Sequence, residues 1–206
     1  MLLAVPVGAT EQHGPHLPLT TDTDIAVALV AGLSAAVAAP PLCFGSSGEH
    51  AEFPGTLSIG RAVTQRVLIE LGRSACESYA HVLFVSTHGG NAEPVARAVE
   101  YLRFEGRDVR AWSPRFGGDA HAGRTETSLM LALAPERVRL DLAEPGCTED
   151  IATLMPRLRR FGVRAVSANG VLGDPTGASA EEGRELLERA SAELEEFVGA
   201  WRGIAA

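Results

Sequence analysis

The chain has 206 residues, enough for one domain with a sizeable core, and nothing in it marks a linker. Its formal charge of −8, from 26 acidic and 18 basic residues, and the lack of any Lys/Arg-rich stretch interleaved with aromatics exclude an electrostatic nucleic-acid surface. Three widely separated cysteines, Cys43, Cys76 and Cys147, imply neither a disulfide framework nor a thiolate zinc site, and a reducing cytoplasm is the expected compartment.

The opening run MLLAVPVG reads as a buried strand over 2–7; it is too short and lacks the basic flank of a secretory signal. A helix is expected over 24–38 and a second strand over 41–45. The stretch 25–44 is uncharged, but its alanine content and its Pro40-Pro41 pair read as a buried helix followed by a strand, not a membrane span. Helices follow at 62–79 and 92–105, on either side of HVLFVS (81–86), the clearest strand of the chain. The last strand is expected at 109–112, then helices at 125–133, 151–160 and 180–201. Strands alternating with helices imply an α/β fold with a parallel sheet covered on both faces.

Each strand is followed by an unusual loop: GATEQHGPHLPLTTDTD, GSSGEHAEFPGT, THGGN and SPRFGGDAHAGRTETS. His13, His16, His50, His88 and His121 lie in these loops, leaving only His81 of the 6 histidines outside them. In a parallel sheet these loops share the carboxyl edge, where ligands bind. Carboxylates with imidazoles and no thiolates suit zinc, manganese or iron. Glu11 and His13, two apart in an extended loop, point the same way, so each can serve one of two adjacent ions, with Asp22 as the bridge. His88 follows a strand, and Gly89 and Gly90 let the backbone pass close to it. Glu126 lies in the first turn of a helix, where it either reaches inward or only meets the helix N-terminus. Asp22 and Asp24 also suit helix caps, Asp24 more so. His16 is expected to support the site and not to bind metal.

In this order and spacing, EQHGPHLPLTTD, SSGEHAEFPGT, THGGN and DAHAGRTETS resemble the creatininase family of metal-dependent amidohydrolases. The later GVRAVSANGVLGDPTGASAEEG is similar to a peptidase branch of that family that trims a radical-modified precursor peptide. The resemblance implies a three-layer α/β fold with a mainly parallel central sheet flanked by helices, one domain over 1–206, and two divalent metal ions. It also implies a homo-oligomer, often a hexamer, and an extra N-terminal helix in relatives. Its metal positions fall on Glu11, His13, Asp22 and His88. Creatininases carry a further acidic ligand two positions after the third-motif histidine; here that position is Gly90, and Glu126 is the expected substitute. They also line the pocket with tryptophan near the fourth motif, whereas this chain has only Trp112 and Trp201.

For amide hydrolysis a side chain must move a proton from water to the leaving nitrogen. His121 is the expected shuttle, with ligation or a structural role as alternatives. Glu49, His50, Gly89, Gly90 and Asn91 are expected to shape the substrate pocket, and Arg115 or Arg124 to hold a peptide carboxylate. The resemblance implies removal of a C-terminal Val-Tyr dipeptide from the modified precursor peptide. The rival readings are an amidohydrolase of a cyclic amide or formamide, and a metal-binding protein without chemistry.

Overall fold

The computed structural model describes residues 1–203. Four strands form one parallel sheet in the order β2-β1-β3-β4: β1 Leu2–Val7, β2 Ala36–Ala38, β3 His81–Ser86 and β4 Val109–Trp112. β1 and β3 pair along their whole length, from Leu2 opposite His81 to Val7 opposite Ser86. Both are apolar on alternate residues in both directions, so each face of the sheet acquires its own core.

On one face Leu2 and Ala4 of β1 and Leu83 and Val85 of β3 pack with three helices. These are α1 (Thr21–Ala31), through Ile25 and Leu29, α4 (Arg124–Leu133), through Leu129 and Met130, and the terminal α6 (Ala180–Arg202), through Leu194 and Val198. On the other face Val5, Val7, Val82 and Phe84 meet Leu68 and Ile69 of α2 (Arg61–Ala75) and Val95, Ala98 and Leu102 of α3 (Ala92–Phe104). The expected three layers are present. Truncating one of the fully buried leucines, such as Leu83, costs about 2–5 kcal/mol at a site of this kind.

A smaller apolar cluster lies apart from the sheet. Leu154 and Leu158 of α5 (Ile151–Phe161) pack with Phe53, Val163 and Leu172. The helix starts at Asp150, whose side chain accepts from Ala152 N at 2.9 Å. This cluster places α5 over the loop that follows residue 45.

Three expectations need correction. The second strand is Ala36–Ala38, not 41–45, and α1 stops at Ala31 instead of reaching 38. The alanine-rich stretch after Gly32 satisfies helix and strand patterns equally, and the exposed edge of β1 captures it, with Ala39 N donating to Ala4 O at 2.9 Å. Segment 41–45 continues that line only as a bridge between Val7 and Leu42. Asp24 is not a cap: Thr20 holds the N-cap position, and Asp24 accepts from Thr20 Oγ1 at 2.7 Å and pairs with Arg137 at 2.8 Å. Among the described residues no helix is long and apolar enough to cross a membrane.

Candidate metal centre

Because all four strands run parallel, the loops leaving their carboxyl ends converge on one edge of the sheet, and the expected ligands meet there. The first loop is closed by Glu11 N donating to Leu19 O at 3.0 Å, so that Glu11 and His13 turn inward beneath α1. Asp22 follows in the first turn of α1. His88 extends from β3, and the helix-breaking Gly89-Gly90 pair turns the chain directly into α3.

The fourth loop reaches the site through a strained turn. Ala122 has φ 52, a left-handed conformation unusual outside glycine, and it reverses the chain between His121 and α4. Asp119 anchors the helix start by accepting from Arg124 N at 2.6 Å. Glu126, one turn into α4, accepts from Ala122 N through Oε2 at 2.6 Å and still lies 3.7 Å from His13 Nε2.

Two imidazoles, His13 and His88, face the Asp22 carboxylate, one at each oxygen. His13 Nδ1 donates to the Glu11 carbonyl at 3.1 Å, which leaves Nε2 facing Asp22 Oδ1 at 3.6 Å and Glu126. His88 Nε2 donates to Ser46 O at 3.0 Å and approaches Glu11 Oε2 at 3.2 Å; its Nδ1 faces Asp22 Oδ2 at 3.5 Å. Glu11, Asp22 and His88 offer atoms close enough to hold one ion, as do His13, Glu126 and His121, and Glu11, His50 and His121 form a third such group.

Donor chemistry and burial both fit divalent cations. Glu11 is fully buried, yet both of its carboxylate oxygens, His13 Nε2 and Asp22 Oδ2 have no hydrogen-bond partner. Buried polar atoms left unpartnered are costly, and coordination would satisfy all four at once. Charge points the same way. Burial opposes a positive His13, but Asp22, Glu126 and Glu11 outweigh it and raise its pKa to about 10. Burial is likewise overcome at His88, where Glu11, Asp22 and the Ser46 carbonyl raise the pKa to about 10. Burial would raise the pKa of Glu11, but His88, His50 and His121 hold it well below the usual carboxylate range. The acidic pocket thus already attracts positive charge.

His121 and His50 differ. Burial and the neighbouring His13 depress His121, and burial pushes His50 down to about 3, so both are neutral near pH 7. Their rings are 4.5 Å apart, and both line a cavity of about 1090 Å³ that opens onto Glu11 and His88. Glu49, His50, Gly89 and Gly90 line this cavity as expected. Burial raises the pKa of Glu49, whose Oε1 lies 4.0 Å from His88 Nε2. Asn91 is absent from the wall: its buried amide ties the framework, accepting from Ser46 N at 2.9 Å and donating to Gly8 O at 2.9 Å.

Gly90 is a steric necessity. A Cβ there would lie 2.2 Å from Ser46 O, 2.4 Å from His88 Nε2 and 2.5 Å from Glu49 Oε1. Glu126 reaches the His13 side of the cluster instead. His16 is buried but lies behind the site, with Nε2 2.9 Å from Thr127 Oγ1.

Neither arginine expected to hold a substrate carboxylate lines the main cavity. Arg124 pairs with Glu182 at 2.8 Å, and Arg115 lines a separate cavity of about 280 Å³. The outer wall is formed by Ile151, Met155, Leu158, Arg159 and Arg160 of α5, which sequence reading passed over because nothing local connects that helix to the metal motifs. Gln12, Ser46 and Gly170 were also missed; Ser46 and Gly170 act through main-chain carbonyls, and the Gln12 amide through partners in distant segments, which composition does not signal.

Comparisons with known proteins place the chain in a family. Residues 1–198 match the family described as Creatininase, creatinine amidohydrolase. The mycofactocin precursor peptide peptidase of Mycolicibacterium smegmatis is 51% identical over 197 residues, spanning 90% of this chain and 79% of that protein. The creatinine amidohydrolase of Pseudomonas putida is 30% identical over 226 residues, spanning 91% of this chain and 84% of that one. Among solved structures, a tryptophan-to-phenylalanine variant of creatininase superposes with a TM-score of 0.82 at 26% identity, covering 97% of this chain and 90% of the other.

Proposed function

The chain belongs to the creatininase family, as a hydrolase of C–N bonds, and we propose that it is the metal-dependent peptidase that trims the modified precursor peptide in mycofactocin biosynthesis. The bond cut is the one that releases a C-terminal Val-Tyr dipeptide. The observation that carries this reading is the cluster of unpartnered Glu11, His13 and Asp22 atoms, of which Glu11 lines a cavity of about 1090 Å³, far larger than a single small ring needs. The substrate class follows the 51% identical peptidase.

Glu11, Asp22 and His88 would hold one divalent ion and His13, Asp22 and Glu126 the other, with Asp22 as the shared ligand. Zinc, iron and manganese all suit this oxygen and imidazole set. When bound, such a pair supplies Lewis acidity and lowers the pKa of water toward neutrality.

His121 presents Nδ1 toward Glu11 at 3.8 Å, because its Nε2 proton is committed to the Gln12 carbonyl at 2.8 Å. A neutral imidazole so placed accepts a proton from the attacking water and returns it to the departing amine. Glu49 and His50 stand on the cavity wall near the reacting carbonyl, and the apolar residues of α5 receive the peptide side chains. Arg159 and Arg160, at the end of α5, supply positive charge for the terminal carboxylate of the peptide. A cytoplasmic location and a homo-oligomer, implied by the family resemblance, belong to the same proposal, as does action of 1–206 as one domain.

Purified protein incubated with modified and unmodified precursor peptide, with and without a chelator, tests this by mass spectrometry of the products. Chelator-sensitive release of Val-Tyr is the expected result. A fully metal-loaded protein that leaves the peptide intact but opens a cyclic amide or formamide would replace the proposal with a small-molecule amidohydrolase.

A further inference from the structure

We propose that Gln12 is a positioning residue that assigns opposite hydrogen-bonding roles to His50 and His121, making the first a donor and the second an acceptor toward the cavity. The catalytic meaning of this rests on the amidohydrolase reading above; the assignment of protons does not.

Gln12 is buried between the two ligands Glu11 and His13, and its side chain points away from them, between the two histidines. Two main-chain groups fix its amide independently of any imidazole. Oε1 accepts from Gly14 N at 2.9 Å, which only an oxygen can do, and Nε2 donates to Gly170 O at 3.1 Å, which only a nitrogen can do. The usual ambiguity over which end of the amide is oxygen is thereby removed.

The second hydrogen on Nε2 points to His50 Nδ1, 2.8 Å away. Nδ1 of His50 therefore accepts, its proton resides on Nε2, and that N–H faces Glu11 Oε1 at 3.4 Å on the cavity wall. His121 receives the opposite assignment from the main chain of the same residue. Its Nε2 lies 2.8 Å from Gln12 O, a pure acceptor, so Nε2 carries the proton and Nδ1 is the bare nitrogen. The 3.2 Å approach of Gln12 Nε2 to His121 Nε2 is then a contact between two donors, with both amide hydrogens already committed elsewhere.

Two consequences follow from this pattern. Ligation by His50 Nε2 beside Glu11 and His121 is opposed, because freeing that nitrogen would move its proton to Nδ1, against the Gln12 N–H 2.8 Å away; of the three candidate ligand groups, this one is disfavoured. In hydrolysis His50 donates a hydrogen bond to the carbonyl oxygen of the scissile amide, while His121 takes one proton from water and gives it to the leaving nitrogen.

Gly170 explains part of the later sequence. It has φ +84, and a Cβ there would lie 2.0 Å from Gln12 Oε1, so only glycine brings this carbonyl up to the amide. The segment SANGVLGDPTG thus braces a residue at the far end of the chain, 158 positions away.

The test is the ring-nitrogen protonation pattern of the zinc-loaded chain labelled with 15N in histidine, read from long-range 1H–15N correlation spectra. In the wild type His50 should show a bare Nδ1 and a protonated Nε2. In Gln12→Glu, where the isosteric carboxylate accepts but cannot donate, the His50 proton should move to Nδ1 while His121 keeps its proton on Nε2. The same variant should lose about tenfold or more in kcat with little change in KM or zinc content. A wild-type His50 protonated on Nδ1, or a His50 pattern unchanged in Gln12→Glu, overturns the proposal. The wild-type spectrum decides alone if the variant does not fold. The expected spectra from a chain that cleaves no precursor peptide would keep this inference and remove the functional reading instead.

Discussion

Asp22 stands between His13 and His88, with Oδ1 3.6 Å from His13 Nε2 and Oδ2 3.5 Å from His88 Nδ1. No other carboxylate among the described residues faces both imidazoles in this way, one oxygen to each. On the proposed two-ion reading, replacing it with alanine would remove the shared ligand from both sites. Asp22→Ala should therefore purify with close to no bound metal while keeping its helical content, as measured by elemental analysis and circular dichroism. Two retained equivalents would show that Asp22 does not bridge.

Glu126 serves only the His13 side, so its loss should be partial. Glu126→Gln keeps the hydrogen bond to Ala122 N through the amide oxygen but weakens ligation, and should retain about one equivalent of metal per chain. Metal titration against a competing chelator separates the two sites. Equal loss of both ions would mean that the sites are not independent in the way the distances suggest.

His121→Ala should keep both ions and the fold and lose about 10²–10⁴-fold in kcat. Loss of one ion in the same variant would move His121 from proton shuttle to ligand, the role that its grouping with His13 and Glu126 also permits.

Metal uptake should release protons. His13 and His88 have pKa values raised to about 10 by burial among carboxylates that outweigh its cost, so near pH 7 both are charged in the metal-free chain. A cation needs their neutral forms and displaces the protons. Apparent metal affinity should then rise with pH across the window from about 6.5, the ordinary histidine value, to about 10, and flatten above it. Stability has the opposite sign without metal: the raised pKa values stabilise the fold below about 6.5, and this contribution is lost as pH climbs through 10. Calorimetric titration in two buffers of different ionisation enthalpy measures the protons directly. A buffer-independent heat would contradict the assignment.

Much of this was legible in the sequence, for a physical reason. Strands β1 and β3 carry apolar residues at successive positions because the inner strands of a covered sheet have no polar side, and their ends were readable to the residue. Once a parallel sheet was expected, the convergence of Glu11, Asp22, His88, His121 and Glu126 followed from topology alone. The edge strand was not legible, since Ala36–Ala38 owes its conformation to the free edge of β1 and not to its own side chains. Nor was the bracing of the centre. Ser46 and Gly170 act through main-chain carbonyls and Gln12 through a side-chain amide whose partners come from distant segments, and Asn91, although it lies in a catalytic-looking motif, is spent on holding two loops together.

Gly90→Ala tests the steric account of the departure from the creatininase pattern at the third motif. The added methyl would meet the Ser46 carbonyl at 2.2 Å and displace the His88 ring, at a cost of about 1–3 kcal/mol for forced repacking. Thermal melts with and without metal should both fall, the metal-loaded form by more. An unchanged melting temperature would show that the loop yields freely.

The most direct measurement is anomalous diffraction from crystals of the metal-loaded protein, collected at the absorption edge of the bound element. Two peaks should appear, one among Glu11, Asp22 and His88 and the other among His13, Asp22 and Glu126. A single peak, or one ligated by His50, would contradict a two-ion centre bridged by Asp22.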